Sequence, residues 1–359
     1  MLERMEVYPM LHDTLQIIRI IGSPLIKSDP PNLIYKKNEI KHLLRIADTN
    51  KIHLFYIESM IKLLKECPQL RSIYSAYRQK YQDFLSWIMD IAKILNDSGI
   101  QYAVFKTLKP FPVIPSDADL LAFEDKGLNK ANHLLKMRGY KILKVGPNSV
   151  TLKNPKLEFK IDMHKEIAVS HLIYMDKHEL ENYLKIKYIG GLPIVVFSQE
   201  VDTLISMNHS IYKEQIYTLA DFYSILYTLS GITKKQYANF IELTKTQKSK
   251  LAVLSTLAFT TLLHKMAFNY IPSDLIQLYA ELAPKTCHFA TNYEVRKLLN
   301  SKDLPHKFSP ITVTAAILAK LQYPRTRRNF PKQLKAFLKA SFFRDFSEQI
   351  WQHIKHGTY

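Results

Sequence analysis

The sequence predicts an α+β protein in which a small mixed β-sheet lies between helical regions at both ends. Apolar residues at helical spacing occur early in the chain, as in Ile40, Leu43 and Ile46. The middle contains short apolar or alternating stretches typical of strands, and helical spacing returns from Gln199 onward, with prolines between the segments. We therefore predict an N-terminal helical region over residues 1–84, a sheet-containing core over residues 85–197 and a basic helical region over residues 198–359.

The predicted elements follow one another along the chain. A break at Ser28-Asp29-Pro30-Pro31 interrupts the first helices, and a long helix from Tyr74 to Asn96 leads into the core. Within the core we predict strands over 99–106, 116–123, 159–164 and 194–197, with a helix ending at Gly139 after the second strand. The uncharged stretch from Leu251 to Leu263 is shorter than the ~20 residues that a membrane span needs, so we interpret it as a buried helix.

Three aspartates on two of these strands are the strongest functional signal. Asp117 and Asp119 are two residues apart, so on a strand their side chains point to the same face, roughly 6.6 Å apart. Asp162 alternates with apolar Ile161 and Met163, and pairing of the two strands would bring three carboxylates together. Two such charges about 4 Å apart repel by about 4 kcal/mol at an effective dielectric constant of about 20. The cluster therefore favours a divalent cation, for which Mg²⁺ is the usual choice among oxygen ligands.

A lone Asp-x-Asp is more often a solvated edge or a turn than a catalytic motif. Here Asp119 leads directly into the apolar run from Leu120 to Phe123, which is typical of a buried strand. Unpaired charge at the boundary of a core is costly, so two carboxylates in this position indicate a function.

The order of these motifs resembles the nucleotidyltransferases of the DNA polymerase β superfamily, over residues 85–230. In the branch that it is similar to, a hydrophobic strand ends in Lys-Gly and is followed by Asp-x-Asp-Leu, Asp-Leu-His and a helix of the type Leu-x-x-x-x-His, then Leu-x-Asp. The corresponding residues here are Phe105-Lys106, Asp117-Ala118-Asp119-Leu120, Asp162-Met163-His164, Leu204 to His209, and Leu219-Ala220-Asp221.

The resemblance implies a metal-dependent enzyme that transfers a nucleoside monophosphate from an NTP to an acceptor hydroxyl. Asp117, Asp119 and Asp162 would be the catalytic residues and would hold two Mg²⁺ ions, or Mn²⁺ in their place. The residues expected to bind the nucleotide are Lys106, Thr107, Lys109, Lys160, His164, His209 and Lys213. The alternative is a catalytically degenerate nucleotide- or RNA-binding module on the same fold.

One departure from the family pattern supports that alternative. The family has a glycine after the first strand, where backbone N–H groups approach the triphosphate, and this chain has Lys106-Thr107-Leu108-Lys109-Pro110. Either the side chains of Lys106 and Thr107 bind phosphate instead, or the nucleotide pocket is degenerate. The three intact carboxylates favour the first interpretation.

Downstream, His209 and Lys213 are four residues apart, which predicts a common face of one helix whose apolar face includes Ile211, Ile216 and Leu219. Lys213 is a candidate for the β- and γ-phosphates, and a solvated surface lysine is an equal alternative. His209 is either a nucleotide contact or a hydrogen-bonded core histidine. Asp221 is expected to order this helix rather than to act in catalysis.

The charge of the chain suggests a polyanionic partner. Fifty Lys and Arg against 32 Asp and Glu give a net charge of +18, with a pI near 9.5. Such a field attracts nucleic acids, so RNA, for example tRNA, is the first expectation for the acceptor, whereas a small molecule or a protein hydroxyl also fits the core motifs. Arg325, Arg327 and Arg328 form a short unmatched cluster that either contacts phosphate or is merely solvated. The aromatic residues of the basic tail after Tyr323 are expected to face the core.

Histidine and cysteine usage adds little. His164, His171 and His178 recur every seven residues, but no acidic or thiol partner lies at ligand spacing, so we expect no metal role for them. Two cysteines supply neither a disulfide framework nor a zinc knuckle. The N-terminus does not resemble a signal peptide, and we expect a cytoplasmic protein without a membrane segment.

Overall fold

The structure is a computed structural model that describes residues 11–26, 37–64, 68–283 and 288–337. The predicted break at 28–31, both cysteines and the aromatic residues Phe342, Phe343 and Trp351 of the tail lie outside these ranges. The helices before the sheet are α1 (His12–Ile21), α2 (Lys37–Thr49), α3 (His53–Leu63) and α4 (Pro68–Asp97).

A sheet of seven strands forms the core and confirms the predicted α+β class. Its strands are β1 (Tyr102–Phe105), β2 (Asp117–Ala122), β3 (Lys141–Val145), β4 (Ser149–Lys153), β5 (Lys160–His164), β8 (Leu184–Ile189) and β9 (Leu192–Phe197). Helix α5 (Asp125–Met137) follows β2, and a hairpin of β6 (Ile167–Val169) and β7 (Leu172–Met175) precedes the short α6 (Lys177–Leu180). The sheet is larger than the sequence predicted, since β3, β4 and β8 are not among the predicted strands.

The strand order is β3-β4-β5-β2-β1-β9-β8. Strand β2 pairs in parallel with β5, and β1 pairs in parallel with β9, whereas the other neighbours are antiparallel. The sheet is therefore mixed, as predicted, and β2 and β5 are direct neighbours in it.

The chain after the sheet is helical. Its elements are α7 (Gln199–His209), a π-helical turn (Ser210–Glu214), β10 (Ile216–Tyr217), α8 (Leu219–Gly231), α9 (Lys234–Thr246), α10 (Lys250–Phe268), α11 (Ser273–Leu282), α12 (His288–Leu299), β11 (His306–Lys307), α13 (Pro310–Lys320) and α14 (Pro324–Phe337). Local capping sets several of these starts. Thr218 and Asp221 form a reciprocal capping box at α8, and Ser309 caps α13 ahead of Pro310.

One prediction about this region is wrong. The helix with His209 and Lys213 does not continue through Ile216 and Leu219, because Gln215 takes a left-handed conformation with φ 57° and ends it. Ile216 then pairs in the small sheet of β10 and β11, and Leu219 begins the next helix.

Two apolar clusters lie on opposite faces of the sheet. Alternate residues of β2 and β5, such as Leu120, Ile161 and Met163, pack with α4 and α5. On the other face, Phe105, Leu121 and residues of α1–α3 join the helices after the sheet in one large core. The N-terminal and C-terminal helices therefore share a core, and the three-part division of the chain stays a prediction.

Helix α10 lies inside this large core, as the sequence predicted for Leu251 to Leu263. By length and composition alone it could cross a membrane, but 78% of the apolar window is buried within the protein. A buried helix of this kind is fully accounted for by packing.

Candidate active site

The carboxylates converge because β2 and β5 are adjacent and in register. Asp119 is the parallel partner of Asp162, and Asp117 is the partner of Lys160. Since partners in neighbouring strands point to the same face, all three aspartates lie on the face of the sheet that carries the large core. The strand pairing that the sequence argument needed is therefore present.

Asp119 is held by a lysine and a histidine from two other segments. His164 Nε2 donates to its Oδ1 at 2.8 Å, and Lys106 Nζ lies 3.2 Å from its Oδ2. Burial would raise the pKa of Asp119, but Lys106 beside it and the hydrogen bond from His164 outweigh burial and hold that pKa well below its usual range.

Asp117 is in the opposite electrostatic situation. It is half-buried, and its nearest donor is the Ser116 hydroxyl at 3.2 Å. Burial, followed by the neighbouring carboxylates of Asp119 and Asp162, raises its pKa. A divalent cation among these groups would reverse that effect.

Asp162 completes the group. Its Oδ1 is buried and has no hydrogen-bond partner among the described residues. Asp119, Asp162 and His164 each offer one ligand atom within 4.8 Å of the others. An orphaned buried carboxylate oxygen beside a second carboxylate fits a hard divalent cation, with the two aspartates as its natural ligands.

His164 is a neighbour of the carboxylates, against the expectation that it takes no part in a metal site. Spacing along the chain does not predict this contact, because Asp119 is 45 residues away and lies beside His164 only through the sheet. In the structure the His164 imidazole fixes the orientation of Asp119. Carboxylates that bind metals are commonly held by such hydrogen bonds.

The turn after β1 has an unusual backbone. Lys106 itself adopts a left-handed conformation with φ 59°, and its N–H donates to Asp202 Oδ1 of α7 at 2.6 Å. A non-glycine residue in this region is strained and often marks a functional site. The conformation places Lys106 Nζ between Asp119 and His209 Nδ1, 3.2 Å from each.

Thr107 follows Lys106 in this turn, and its hydroxyl is used inside the fold. It donates to Phe105 O at 3.0 Å and accepts from the N–H of Asp119 at 3.0 Å. The side chain is buried, with 4% exposed. Its hydroxyl therefore positions β2 relative to β1, and its proton is not free for a phosphate.

Lys109 and His209 are also engaged. Lys109 Nζ donates to Ser206 Oγ at 2.8 Å, and burial lowers the pKa of this amine. His209 Nδ1 accepts from Tyr174 OH at 3.0 Å, and its Nε2 lies 3.1 Å from Glu214 Oε1. Burial, together with nearby Lys106, lowers the pKa of His209 to about 3, so the ring is neutral and behaves as a hydrogen-bonded interior histidine at the wall of the cleft.

A deep cleft opens beside these residues, with a volume of about 730 Å³. Asp117, Asp119, Lys106, Lys109 and Lys213 line it, and Asp162 does not. Lys213 is exposed in the π-helical turn and makes no ion pair with a described residue, which leaves its amine available. His209 and Lys213 were predicted to share one face of an α-helix, but Lys213 lies in a π-helical turn. Such turns are frequent at functional sites.

Part of the cleft wall comes from the N-terminal helices, and sequence reasoning missed it. Lys51 and Lys80 line the cleft, and the ring of His53 stacks on Tyr77 with centroids 4.1 Å apart and planes 14° apart. These residues carry no motif, and their place in the cleft follows only from the packing of α3 and α4.

The C-terminal arginines do not form one group. Arg325 Nη2 pairs with Glu166 Oε1 at 2.6 Å, and its Nη1 pairs with Asp176. The expectation that Arg325 contacts phosphate is therefore wrong for this structure, because its guanidinium is already occupied by two carboxylates. Arg327 and Arg328 are exposed on α14, and Phe330 packs half-buried against the core.

Comparisons with known proteins add little to this geometry. No protein-family model and no curated relative matches the chain. Among solved structures it is similar to a STING-associated CdnE c-di-GMP synthase from Capnocytophaga granulosa, at 15% identity over 80% of this chain and 98% of that chain, with a TM-score of 0.23. A likeness at this level supports no conclusion about chemistry, so the proposals below rest on the residues of this chain.

Proposed function

We propose that the protein is a metal-dependent nucleotidyltransferase that moves a nucleoside monophosphate from an NTP to an acceptor hydroxyl. The observation that supports this most is the register of β2 and β5, which sets Asp119 directly beside Asp162 and keeps Asp117 on the same face. Asp117 and Asp119 line a cleft with the volume and the lysines for a triphosphate, and Asp162 lies beside Asp119.

Asp117, Asp119 and Asp162 would hold the Mg²⁺ or Mn²⁺ ions. Bound there, such ions neutralise phosphate charge and lower the pKa of an acceptor hydroxyl. The residues of the chain then have separate roles. Asp162, whose Oδ1 is free, is the candidate to take the proton of the acceptor hydroxyl, and His164 keeps Asp119 oriented.

The lysines of the cleft bind and position the triphosphate. Lys213 is the exposed amine on one wall, and Lys106 is the amine nearest the carboxylates. Positioning and charge neutralisation carry most of the catalysis in phosphoryl transfer, so a pocket that supplies fixed cations around the phosphates is well suited to it. The acceptor that we propose is RNA, with tRNA the first candidate, because of the net charge of +18.

A specific observation also favours the second candidate, a nucleotide- or RNA-binding module without catalysis. The Lys106 amine sits on Asp119, the Thr107 hydroxyl is bonded inside the fold, and the Lys109 amine is bonded to Ser206. A turn whose side chains are committed to the protein offers fewer groups to a triphosphate than the glycine turn of the family.

Incubation with each α-³²P-labelled NTP, Mg²⁺ or Mn²⁺ and total RNA separates the two candidates. Wild type should label RNA, and Asp117→Asn/Asp119→Asn should not. Asp90→Asn/Asp97→Asn removes the same charge from exposed positions and should label RNA like wild type. Label on protein or on a small product would retain the enzyme and reject RNA. If wild type and the variants bind nucleotide but none of them transfers label, the protein is the binding module instead.

A further inference from the structure

The face of the sheet that carries the carboxylates is covered unequally. Its central strands contribute Ala103, Phe105 and Leu121 to the large core, whereas none of the described residues of β3, β4 or β5 belongs to that core. Strand β3 is exposed along its whole length. The carboxylates therefore lie at the boundary between a covered half and an open half of one face.

Lysines occupy the open half in register with the carboxylates. Asp117 partners Lys160, Lys160 partners Lys153, and Lys153 partners Lys141. One row across four strands thus begins at an aspartate and continues through three lysines.

The neighbouring row also ends in a lysine on β3. It runs from Asp119 through Asp162 and Thr151 to Lys144. With neighbouring strands about 4.8 Å apart, each row carries positive charge roughly 10–15 Å outward from the carboxylates. We call Lys141, Lys144, Lys153 and Lys160 the lysine strip.

The strip is unfavourable for the folded protein on its own. Like charges directly opposite each other on a sheet destabilise it. Here Lys153 lies opposite Lys160 on one side and opposite Lys141 on the other. None of the four lysines forms an ion pair with a described residue, whereas nearby Lys80 is paired with Glu158 and Lys165 with Asp125. A bound anion would neutralise the row.

We propose that the lysine strip is the binding surface for a phosphodiester strand whose terminal hydroxyl reaches Asp162. A strip of lysines, of which Lys141, Lys144 and Lys160 are exposed and Lys153 is half-buried, matches a repeating anion better than a small one, because each further lysine can meet a further phosphate. The surface leads directly to Asp117 at the cleft, so a strand lying on it would present its end where the nucleotide is bound. This assignment rests on the proposed function and names the place of its acceptor.

The test compares Lys141→Gln/Lys144→Gln/Lys153→Gln with a matched control, Lys185→Gln/Lys234→Gln/Lys245→Gln. The control removes three exposed lysines elsewhere on the protein, and Lys160 is left intact because it borders the candidate catalytic group. Binding of fluorescein-labelled single-stranded RNA of mixed sequence, and of the same sequence as DNA, is measured by anisotropy over a range of KCl concentrations.

Loss of three phosphate contacts should make the negative slope of log K against log[salt] shallower by about 2 and weaken binding about 100-fold at about 0.1 M salt. The control should stay within about 3-fold of wild type. Tighter binding of RNA than of DNA would favour RNA as the acceptor. Equal binding of the two would indicate a surface for a phosphodiester strand of either sugar. Equal losses in both variants, or no loss in the strip variant, would overturn the assignment.

Two further measurements keep this inference separate from the proposed function. Binding of fluorescent Mg²⁺–ATP analogue without any strand should be the same in the strip variant as in wild type. If neither wild type nor the strip variant binds the nucleotide, the proposed function fails. Strand binding then still tests whether the lysine strip binds a phosphodiester strand. If the strip variant loses binding to phosphatidylserine vesicles but keeps RNA binding, the surface is a lipid surface and the inference is wrong.

Discussion

The candidate active site and a second group of buried charged side chains balance their charge differently. In the candidate active site, three aspartates lie side by side on two strands, with Lys106 as the cation in contact. In the second group, which we call the Arg325 cluster, Arg325 bridges Glu166 and Asp176, and Tyr323 and Gln247 bond Glu179. Like charges stand together in the first, and opposite charges alternate in the second.

The contrast separates a functional arrangement from a structural one. Residues of the Arg325 cluster come from distant parts of the chain and tie α14 to the β6–β7 hairpin and α6, as an ion-pair clamp does. Its acids have partners from other elements, although Glu166 Oε2 has no partner among the described residues. The aspartates of the active site face one another, an arrangement that costs stability unless a cation is bound. The following variants test that contrast.

The largest expected effect is on catalysis. Asp162→Asn should lower nucleotidyl transfer about 10³-fold, because it removes a metal ligand and the proton acceptor. The free energy of unfolding should stay within about 0.5 kcal/mol of wild type or rise, since a buried carboxylate oxygen without a partner is removed. Transfer assays and urea unfolding of the same preparation measure both. A variant that unfolds readily and retains transfer per folded molecule would place Asp162 among the structural residues.

The Arg325 cluster should respond in the opposite way. Arg325→Met leaves Glu166 and Asp176 without their cation and should lower the free energy of unfolding by about 3 kcal/mol. Transfer per folded molecule should be unchanged. Arg327→Met removes the same charge from an exposed position of the same helix and should cost less than about 0.5 kcal/mol. Equal stability of the two variants would show that Arg325 is no clamp.

A buried lysine next to this cluster makes stability depend on pH. Lys320 is fully buried, its amine donates to Gln247 O, and burial lowers its pKa to about 7, partly offset by Glu179 and Asp176. Between this value and its unfolded pKa of about 10.4, the unfolded chain binds more protons, so stability rises with pH. From about pH 7.5 to about pH 9, wild type should gain about 2 kcal/mol more than Lys320→Met.

The control for this prediction is Lys332→Met, since Lys332 is exposed on α14. It should keep the pH dependence of wild type in urea unfolding. If Lys320→Met has the same pH dependence as wild type, Lys320 is protonated in the folded state despite its burial.

The comparison also shows which features the sequence could predict. The carboxylates were found because period-two spacing and an apolar run are local signals that determine a face. The hydrogen-bond and ion-pair partners that distinguish the two regions could not be predicted, because they are distant along the chain. Asp202 reaches Lys106 from 96 residues away, and Arg325 reaches Glu166 from 159 residues away. Strand β3 lies outside the predicted strands for a different reason, since it is exposed throughout and has no buried face that would give a pattern.

The smallest expected effect concerns Thr107, where the sequence left two interpretations open. Because its hydroxyl bonds Phe105 O and the N–H of Asp119, Thr107→Val should lower the free energy of unfolding by about 1.5 kcal/mol and leave the Kd for Mg²⁺–NTP within about 2-fold of wild type. Thr107→Ser keeps the hydroxyl and should restore most of the stability. A roughly tenfold rise in Kd with unchanged stability would instead assign the hydroxyl to phosphate binding. Such a rise corresponds to about 1.4 kcal/mol of binding free energy. Thr107 would then belong with the open, ligand-binding region rather than with the side chains that hold the fold together.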